Sequence, residues 1–282
     1  MPEIVSPLRY PGGKSFFYDY VKKLILHNNL IGKTYLEPFA GGAGIALKLL
    51  LNNDVERIII NDFDISIYAF WYSILNYSDA MCDKIYNTKI DIKEWNNQKE
   101  IYNNQNANNL FDLGFATFFL NRTNVSGIIS AGIIGGKKQL GKYKIDSRFN
   151  KDKLIDKIQN IAKEKNRIIL CNLDAIDLLK NRNIKRYKNI FINFDPPYFL
   201  KGKELYKNFY KDKDHINLNN VIDSINYKWI VTYDVSDFIF SLYNKYRKSY
   251  LDLFYNINKK IKAKEYIFFS NNLYLPDDIK LI

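Results

Sequence analysis

An α/β fold built on one mostly parallel sheet is predicted by three features of the sequence. Short apolar runs rich in Ile, Phe, Tyr and Val alternate with helix-spaced stretches over most of the chain, the pattern of strands joined by crossover helices. One such run leads through the small-residue turn Ala40-Gly41-Gly42-Ala43-Gly44 into a helix, and the next run ends in an acid, Asp62. Residues 65–165, helical in periodicity and without strand alternation, then lie between the second and third strands.

The first element follows a Pro/Gly loop, Pro7-Leu8-Arg9-Tyr10-Pro11-Gly12-Gly13-Lys14, where the spacing of Phe16, Tyr20, Leu24 and Leu26 predicts a helix over 15–28. The backbone amides of that loop, with Lys14, suit an anion as readily as they suit a plain helix-starting turn. A strand at 34–39, the glycine turn and a helix at 45–51 come next, then a strand at 57–61. Small residues in the turn let the backbone approach a nucleoside-bearing ligand closely. An acid about 20 positions later, at the tip of the second strand, is placed to accept hydrogen bonds from ribose hydroxyls. Asp62 could also cap the following helix; the co-occurrence of turn and acid favours ribose.

Within 65–165 the sequence predicts an inserted helical subdomain, with a polar Asn/Gln stretch at 96–109 followed by a stretch at 115–127 that leads into a Gly/Lys loop. It carries a basic, glycine-rich arm running from Gly135 through Lys137, Lys138, Lys142 and Lys144 to Arg148, a composition suited to a phosphate backbone or to a solvated loop. After a helix at about 150–164, strands are predicted at 167–172, 189–194, 228–234, 250–255 and 265–270, bringing the sheet to seven. Helices at 175–180, 215–225 and 236–245 imply parallel crossovers, and the short 256–264 connection implies an antiparallel terminal hairpin. Phe39 to Gly44, Asp62, Asp174 and Asp195 all fall at strand carboxyl ends, the edge where open sheets bind ligands.

The chemistry centres on Asn193-Phe194-Asp195-Pro196-Pro197-Tyr198, an apolar strand ending in two prolines. The prolines supply no N–H and hold the chain rigid, leaving the Asp195 carboxylate and the Pro196 carbonyl as acceptors beside the Tyr198 ring. That is a socket for a flat amine: a nucleobase amino group could donate to both acceptors while its ring stacks on Tyr198. With 47% hydrophobic residues the chain can bury a sizeable core, and 42 Lys+Arg against 30 Asp+Glu, a net charge of +12, suits a polyanionic partner. Part of that excess reflects a general Lys/Asn bias. Cys82 and Cys171 form no CxxC pair, and His27 and His215 are the only histidines, so no disulfide framework and no metal site are expected. His27 and His215 read as surface or helix-end residues. The chain shows no leader pattern and no apolar run of membrane-spanning length; a cytoplasmic protein is expected.

Taken in order, Pro7 to Lys14, Glu37-Pro38-Phe39-Ala40-Gly41-Gly42, Asn61-Asp62, Leu120-Asn121-Arg122-Thr123, Asp195-Pro196-Pro197-Tyr198, and Glu265-Tyr266 with Ser270-Asn271 resemble the Dam-type adenine-specific DNA methyltransferases. The resemblance covers nearly the whole chain. It implies a Rossmann-like, seven-stranded S-adenosylmethionine-dependent methyltransferase sheet, with a discontinuous catalytic domain at 1–64 and 166–282 and an inserted helical target-recognition domain at 65–165. It implies methyl transfer to N6 of a flipped-out adenine in double-stranded DNA; a cognate restriction endonuclease is a candidate partner, with a restriction-modification system, an orphan enzyme and a phage enzyme all left open. By the same resemblance Tyr10, Lys14, Phe39, Ala40, Gly41 and Asp62 contact the cofactor, and Asp195 adjoins it. Asp174, with Asp177 as an alternative, meets the cofactor's adenine. Asp195, Pro196 and Tyr198 hold the target base, and Asn121 and Arg122 reach DNA; Lys137, Lys138 and Arg148 of the basic arm are DNA candidates by their charge alone.

Two positions depart from the family pattern. Ala43 stands where the family turn often has a glycine, and Asn124-Val125-Ser126-Gly127 replaces the run common in enzymes that read GATC, so that target is not carried over. The residues alone leave other planar amines open as substrates, namely cytosine N4, an RNA base or a glutamine, and beyond these a catalytically inactive nucleic-acid-binding module. They do not specify the oligomeric state.

Overall fold

The structure, a computed structural model, describes residues 4–9, 17–105, 109–200, 202, 209–257 and 259–282. Two of the expected cofactor contacts, Tyr10 and Lys14, lie outside the described residues. The centre is one seven-stranded sheet of β1 (Thr34–Glu37), β2 (Arg57–Asn61), β3 (Ile168–Cys171), β4 (Ile190–Phe194), β5 (Lys228–Asp234), β6 (Arg247–Ile257) and β7 (Lys259–Phe269). Its order is β3-β2-β1-β4-β5-β7-β6. The first five strands pair in parallel, and β7 lies antiparallel between β5 and β6. The order reverses direction between β1 and β4, which opens a crevice beyond their carboxyl ends.

All seven strands lie on the predicted runs, but the last two are longer. The expected connection at 256–264 is itself strand on either side of residue 258, with Leu251 to Ile257 paired against Glu265 to Lys259. An antiparallel pair needs no crossover, so its hydrogen bonding continues past Asp234↔Glu265, the last register pair with β5.

Side-chain alternation divides the core into two layers. Tyr35, Ile58, Ile60, Phe191 and Ile230 face one side; Leu36, Ile59, Ile192, Trp229 and Val231 face the other. The first layer packs under α1 (Tyr18–His27), α2 (Gly44–Leu51), α3 (Ile65–Asn76), α4 (Ser78–Asn87), α5 (Ile92–Asn104), α6 (Leu110–Thr123) and α7 (Lys151–Lys163). The second packs under α8 (Ala175–Lys180), α9 (Arg182–Lys185), α10 (Asp212–Ser224) and α11 (Asp237–Leu242).

The helices of 65–165 thus continue the core of the sheet. Phe70, Trp71 and Ile74 of α3, Trp95 of α5, Phe118 of α6 and Ile158 of α7 join the same buried cluster as Tyr35 and Ile58. Helices α3 and α6 cross closely because residue 114 is glycine: a Cβ there would meet the Ala69 carbonyl oxygen at 2.4 Å.

One expectation is corrected here. His215 is not a surface residue: it lies in the first turn of α10 and is fully buried. Its Nδ1 pairs with the Tyr233 hydroxyl at 2.8 Å, and the Phe199, Tyr210 and Tyr233 rings surround it. Burial lowers its pKa below the usual histidine value, which favours the neutral ring that such a site accommodates.

Candidate active site

The carboxyl ends of β1 and β2 are joined by side chains that grip the main chain. Asn61 closes β2, donating to the carbonyls of Pro38 and Leu173, each at 2.9 Å, and accepting from the Leu173 N–H at 2.9 Å. A polar residue ending the run Ile58-Ile59-Ile60 thus ties the loops after β1, β2 and β3 together. Trp71 of α3 donates its indole N–H to the Gly41 carbonyl at 2.9 Å. The turn itself has Gly41 at φ 46° and Ala43 at φ 47°. Ala43 is thus a non-glycine residue in the left-handed region, where a Cβ costs about 1–2 kcal/mol. It precedes α2, and its carbonyl accepts the first helical bond, from Leu47 at 3.0 Å.

Asp62 sits at the end of β2 against this turn. Its carboxylate accepts from Gly41 N–H at 2.9 Å and from Asp64 N–H at 3.0 Å. The cap of α3 is Asp64, which accepts from Ser66 at 2.8 Å, so Asp62 is not the capping residue. Loss of hydration pushes the Asp62 pKa up to about 7 against the opposing pull of its two amide donors. Asp174 caps α8, accepting from Ile176 N–H at 2.8 Å, and also borders the cavity described below.

Glu37 was given no role from the sequence, although it stands in the recognised Glu-Pro-Phe run. Buried at the end of β1, it accepts from the Tyr35 hydroxyl at 3.1 Å and Ala46 N–H at 3.2 Å. Burial pushes its pKa up to about 8. The signal available in sequence was an acid closing an otherwise apolar strand.

The Asp195 segment is held from β5 and β7. Thr232 of β5 donates its hydroxyl to Asp195 Oδ1 at 2.9 Å. Two residues on, Asp234 accepts from the N–H groups of Phe199 and Leu200 at 2.8 and 2.7 Å. Tyr198 is buried and donates its hydroxyl to Glu265 of β7 at 2.6 Å. Sequence reasoning missed Thr232 and Asp234, because nothing in a strand's own pattern shows which neighbouring loop it holds.

These elements enclose one cavity of about 1410 Å³, larger than the roughly 300–1,000 Å³ of sites that take a single small ligand. Phe39, Ala40, Asp62, Asp174 and Asp195 line it, together with Glu37, Phe63, Ile176 and Pro197. Gly41 adjoins it through its bond to Asp62, whereas Pro196 and Tyr198 are outside its lining. Arg9, Arg122, Arg148 and Lys157 also line it.

Arg122 directs its guanidinium to the Arg148 carbonyl, with Nε at 2.7 Å. Burial first, then the charges of Arg9 and Arg148, bring its pKa down to about 10, leaving it cationic at neutral pH. Asn121 is 1% exposed, and its amide is engaged with protein backbone: it accepts from Arg9 N–H at 2.7 Å and donates to the carbonyls of Arg9 and Gly127 at 2.6 and 2.8 Å. In this structure Asn121 clamps the N-terminal loop to the helical insertion. Lys137 and Lys138 are exposed on the arm, outside the cavity lining.

Residues 10–263 match the profile of the D12 class N6 adenine-specific DNA methyltransferases. The chain belongs to this family. The methyltransferase is also similar to the type II methyltransferase M.MjaIII of Methanocaldococcus jannaschii, with 25% identity over 213 residues, 70% of each chain. A second match, 38% identical over 72 residues, is to the DNA-directed RNA polymerase subunit beta'' of Euglena gracilis; it spans 26% of this chain and 9% of that subunit and supports no functional reading. Family membership makes adenine N6 in DNA the methyl acceptor, ahead of cytosine N4, an RNA base, glutamine or an inactive binding module. Among the described residues, no helix is long and apolar enough to cross a membrane, and no group of three His, Cys, Asp or Glu could hold a metal ion.

Proposed function

We propose that this adenine methyltransferase takes S-adenosylmethionine as its methyl donor in the half of the cavity bounded by β1, β2 and β3, and extrudes the target adenine into the half bounded by β4. The observation that carries the reading is that Asp62, Asp174, Glu37 and Asp195 border one cavity whose lining also includes the cations Arg9, Arg122, Arg148 and Lys157. The fit on the cofactor side is chemical. Asp62, fixed by Gly41 and Asp64, presents acceptors for ribose hydroxyls, and Phe63 and Ile176 offer apolar cover for an adenine beside Asp174. Glu37 suits the cationic methionine end. S-adenosylmethionine, when bound, supplies a methyl group on a positively charged sulfur.

Everything else belongs to this chain's residues. The adenine amine is a poor nucleophile because its lone pair is delocalised into the ring. Asp195, oriented by Thr232, and the Pro196 carbonyl accept its two hydrogens, favouring a more tetrahedral nitrogen aimed at the donor. Orientation and preorganised polarity therefore do most of the work. Tyr198 takes the face of the extruded base; it is 5% exposed, so stacking requires that face to be uncovered when the base enters. Helices α3 to α7 and the arm form the target-recognition part, where Arg122, Arg148, Lys137 and Lys138 meet phosphate and Asn121 holds the frame. Sequencing of methylated DNA from cells expressing the chain, with titration of S-adenosylmethionine into purified protein, tests the reading. N6-methyladenine in a defined sequence context and saturable binding weakened in Asp62→Ala are expected; absence of either contradicts it.

A further inference from the structure

We propose that Glu265 is a positioning residue for Tyr198, fixing the ring that receives the adenine. The inference rests on the reading of Tyr198 given above. Glu265 is 3% exposed and lies on β7, in register with Asp234 of β5. These two neighbouring acids hold three consecutive residues of the loop: Glu265 takes the Tyr198 hydroxyl at 2.6 Å, and Asp234 takes the Phe199 and Leu200 N–H groups at 2.8 and 2.7 Å. Thr232, on the same face of β5 as Asp234, holds Asp195. The antiparallel junction of β5 and β7 is therefore a bracket for the whole Asp195 to Leu200 segment.

The geometry says what the Glu265 bond adds. A tyrosine anchored only at its Cα is free in χ1 and χ2. Anchored also at its hydroxyl, it keeps its long axis, and the in-plane preference of a phenol hydrogen bond sets the ring face. An O–H···O contact of 2.6 Å lies in the short range of charge-assisted bonds. An acid only 3% exposed is costly unless a donor meets it, and Tyr198 is such a donor. The ring therefore stays where the DNA-free protein holds it, and extrusion of the base uncovers a prefixed face instead of swinging a loose one.

The opposite role for the same bond would be a latch that keeps Tyr198 away from the base, and the two differ in sign. The experiment uses the full chain with two duplexes, one with adenine at the target position to read KM for DNA and kcat, and one with 2-aminopurine there to read extrusion by fluorescence, together with cofactor affinity, in Tyr198→Phe, Glu265→Leu, Glu265→Gln and the Tyr198→Phe/Glu265→Leu double variant. If Glu265 positions the ring, Tyr198→Phe and Glu265→Leu each raise KM for DNA about tenfold and lower the 2-aminopurine signal, with cofactor affinity within about twofold of wild type. The double variant is then no worse than the poorer single one, since both remove one interaction. Glu265→Gln retains an acceptor oxygen and recovers most of the loss. An unchanged or lower KM in Tyr198→Phe, or single effects that multiply to about a hundredfold in the double variant, would overturn the inference. Tyr198→Phe leaves no cavity and decides the matter even if Glu265→Leu fails to fold. A wild-type protein that neither methylates nor perturbs 2-aminopurine would refute the underlying reading, a distinct result.

Discussion

Asp62 and Glu37 are carboxyl groups that the fold keeps protonated well above their ordinary range, to about 7 and about 8, because burial outweighs the amide and hydroxyl donors around them. The sign follows from linkage. The folded protein without cofactor binds these protons more tightly than the unfolded chain does, so each group's contribution to stability is fully present below its unfolded pKa and is lost as pH rises through its folded value. Ribose hydroxyls and a cationic amine favour the ionised carboxylates. Cofactor affinity is therefore expected to tighten as pH rises from about 6 to about 8, by up to about tenfold per unit for each group that must ionise, and then to level off. Calorimetry across that range, read with the thermal shift on cofactor addition, checks it; affinity independent of pH would remove both acids from the contact. Asp62→Ala should weaken binding by about 1.5–3 kcal/mol, the range for a hydrogen bond to a charged group, or roughly ten- to a hundredfold in Kd.

Between elements, a few side chains fix how loops meet strands. Asn121 makes three bonds to main chain at the end of α6 and joins Arg9 to Gly127, whose φ of 76° brings its Cα so near the Arg9 carbonyl that a Cβ would lie at 2.4 Å. Removing the amide in Asn121→Ala leaves buried backbone groups unmet, at about 1–3 kcal/mol of stability. Chemical denaturation measures that loss. The salt dependence of DNA binding should stay unchanged, because no phosphate contact is lost. An altered salt slope with intact stability would return Asn121 to the DNA interface.

Across the whole molecule, net charge and the arm bear on DNA. Neutralising Lys137 and Lys138 should weaken binding on every sequence and reduce the slope of log K against log salt by about two, the value for two phosphate contacts. An unchanged slope would make the arm solvated surface. The sheet was legible because period-2 apolar runs and the strand, glycine turn and acid series at 34–62 carry their geometry in consecutive residues. The long β6–β7 ribbon was not, since its lysine-rich middle has the composition of a loop and becomes strand only by pairing with its neighbour. Within the site, Asp62, Asp174 and Asp195 were readable from position alone. Thr232, Asp234 and Glu265 act across strands far apart in sequence, Glu37 bonds locally to Tyr35 and Ala46 but is buried only by the fold, and Asn121 shows how a recognised motif can name a residue without revealing what it touches.

The central claim is that Asp195 acts on the amine of a base lodged in this cavity, in the transfer step itself. Single-turnover methylation with saturating cofactor and DNA measures that step for wild type and Asp195→Ala. The account predicts a rate about a hundredfold to a thousandfold lower in the variant, the loss typical of one preorganised polar group, with DNA binding retained. A mismatch opposite the target adenine lowers the cost of extrusion and should not restore the rate. Near-normal single-turnover methylation by Asp195→Ala, or its recovery on mismatched DNA, would contradict the account.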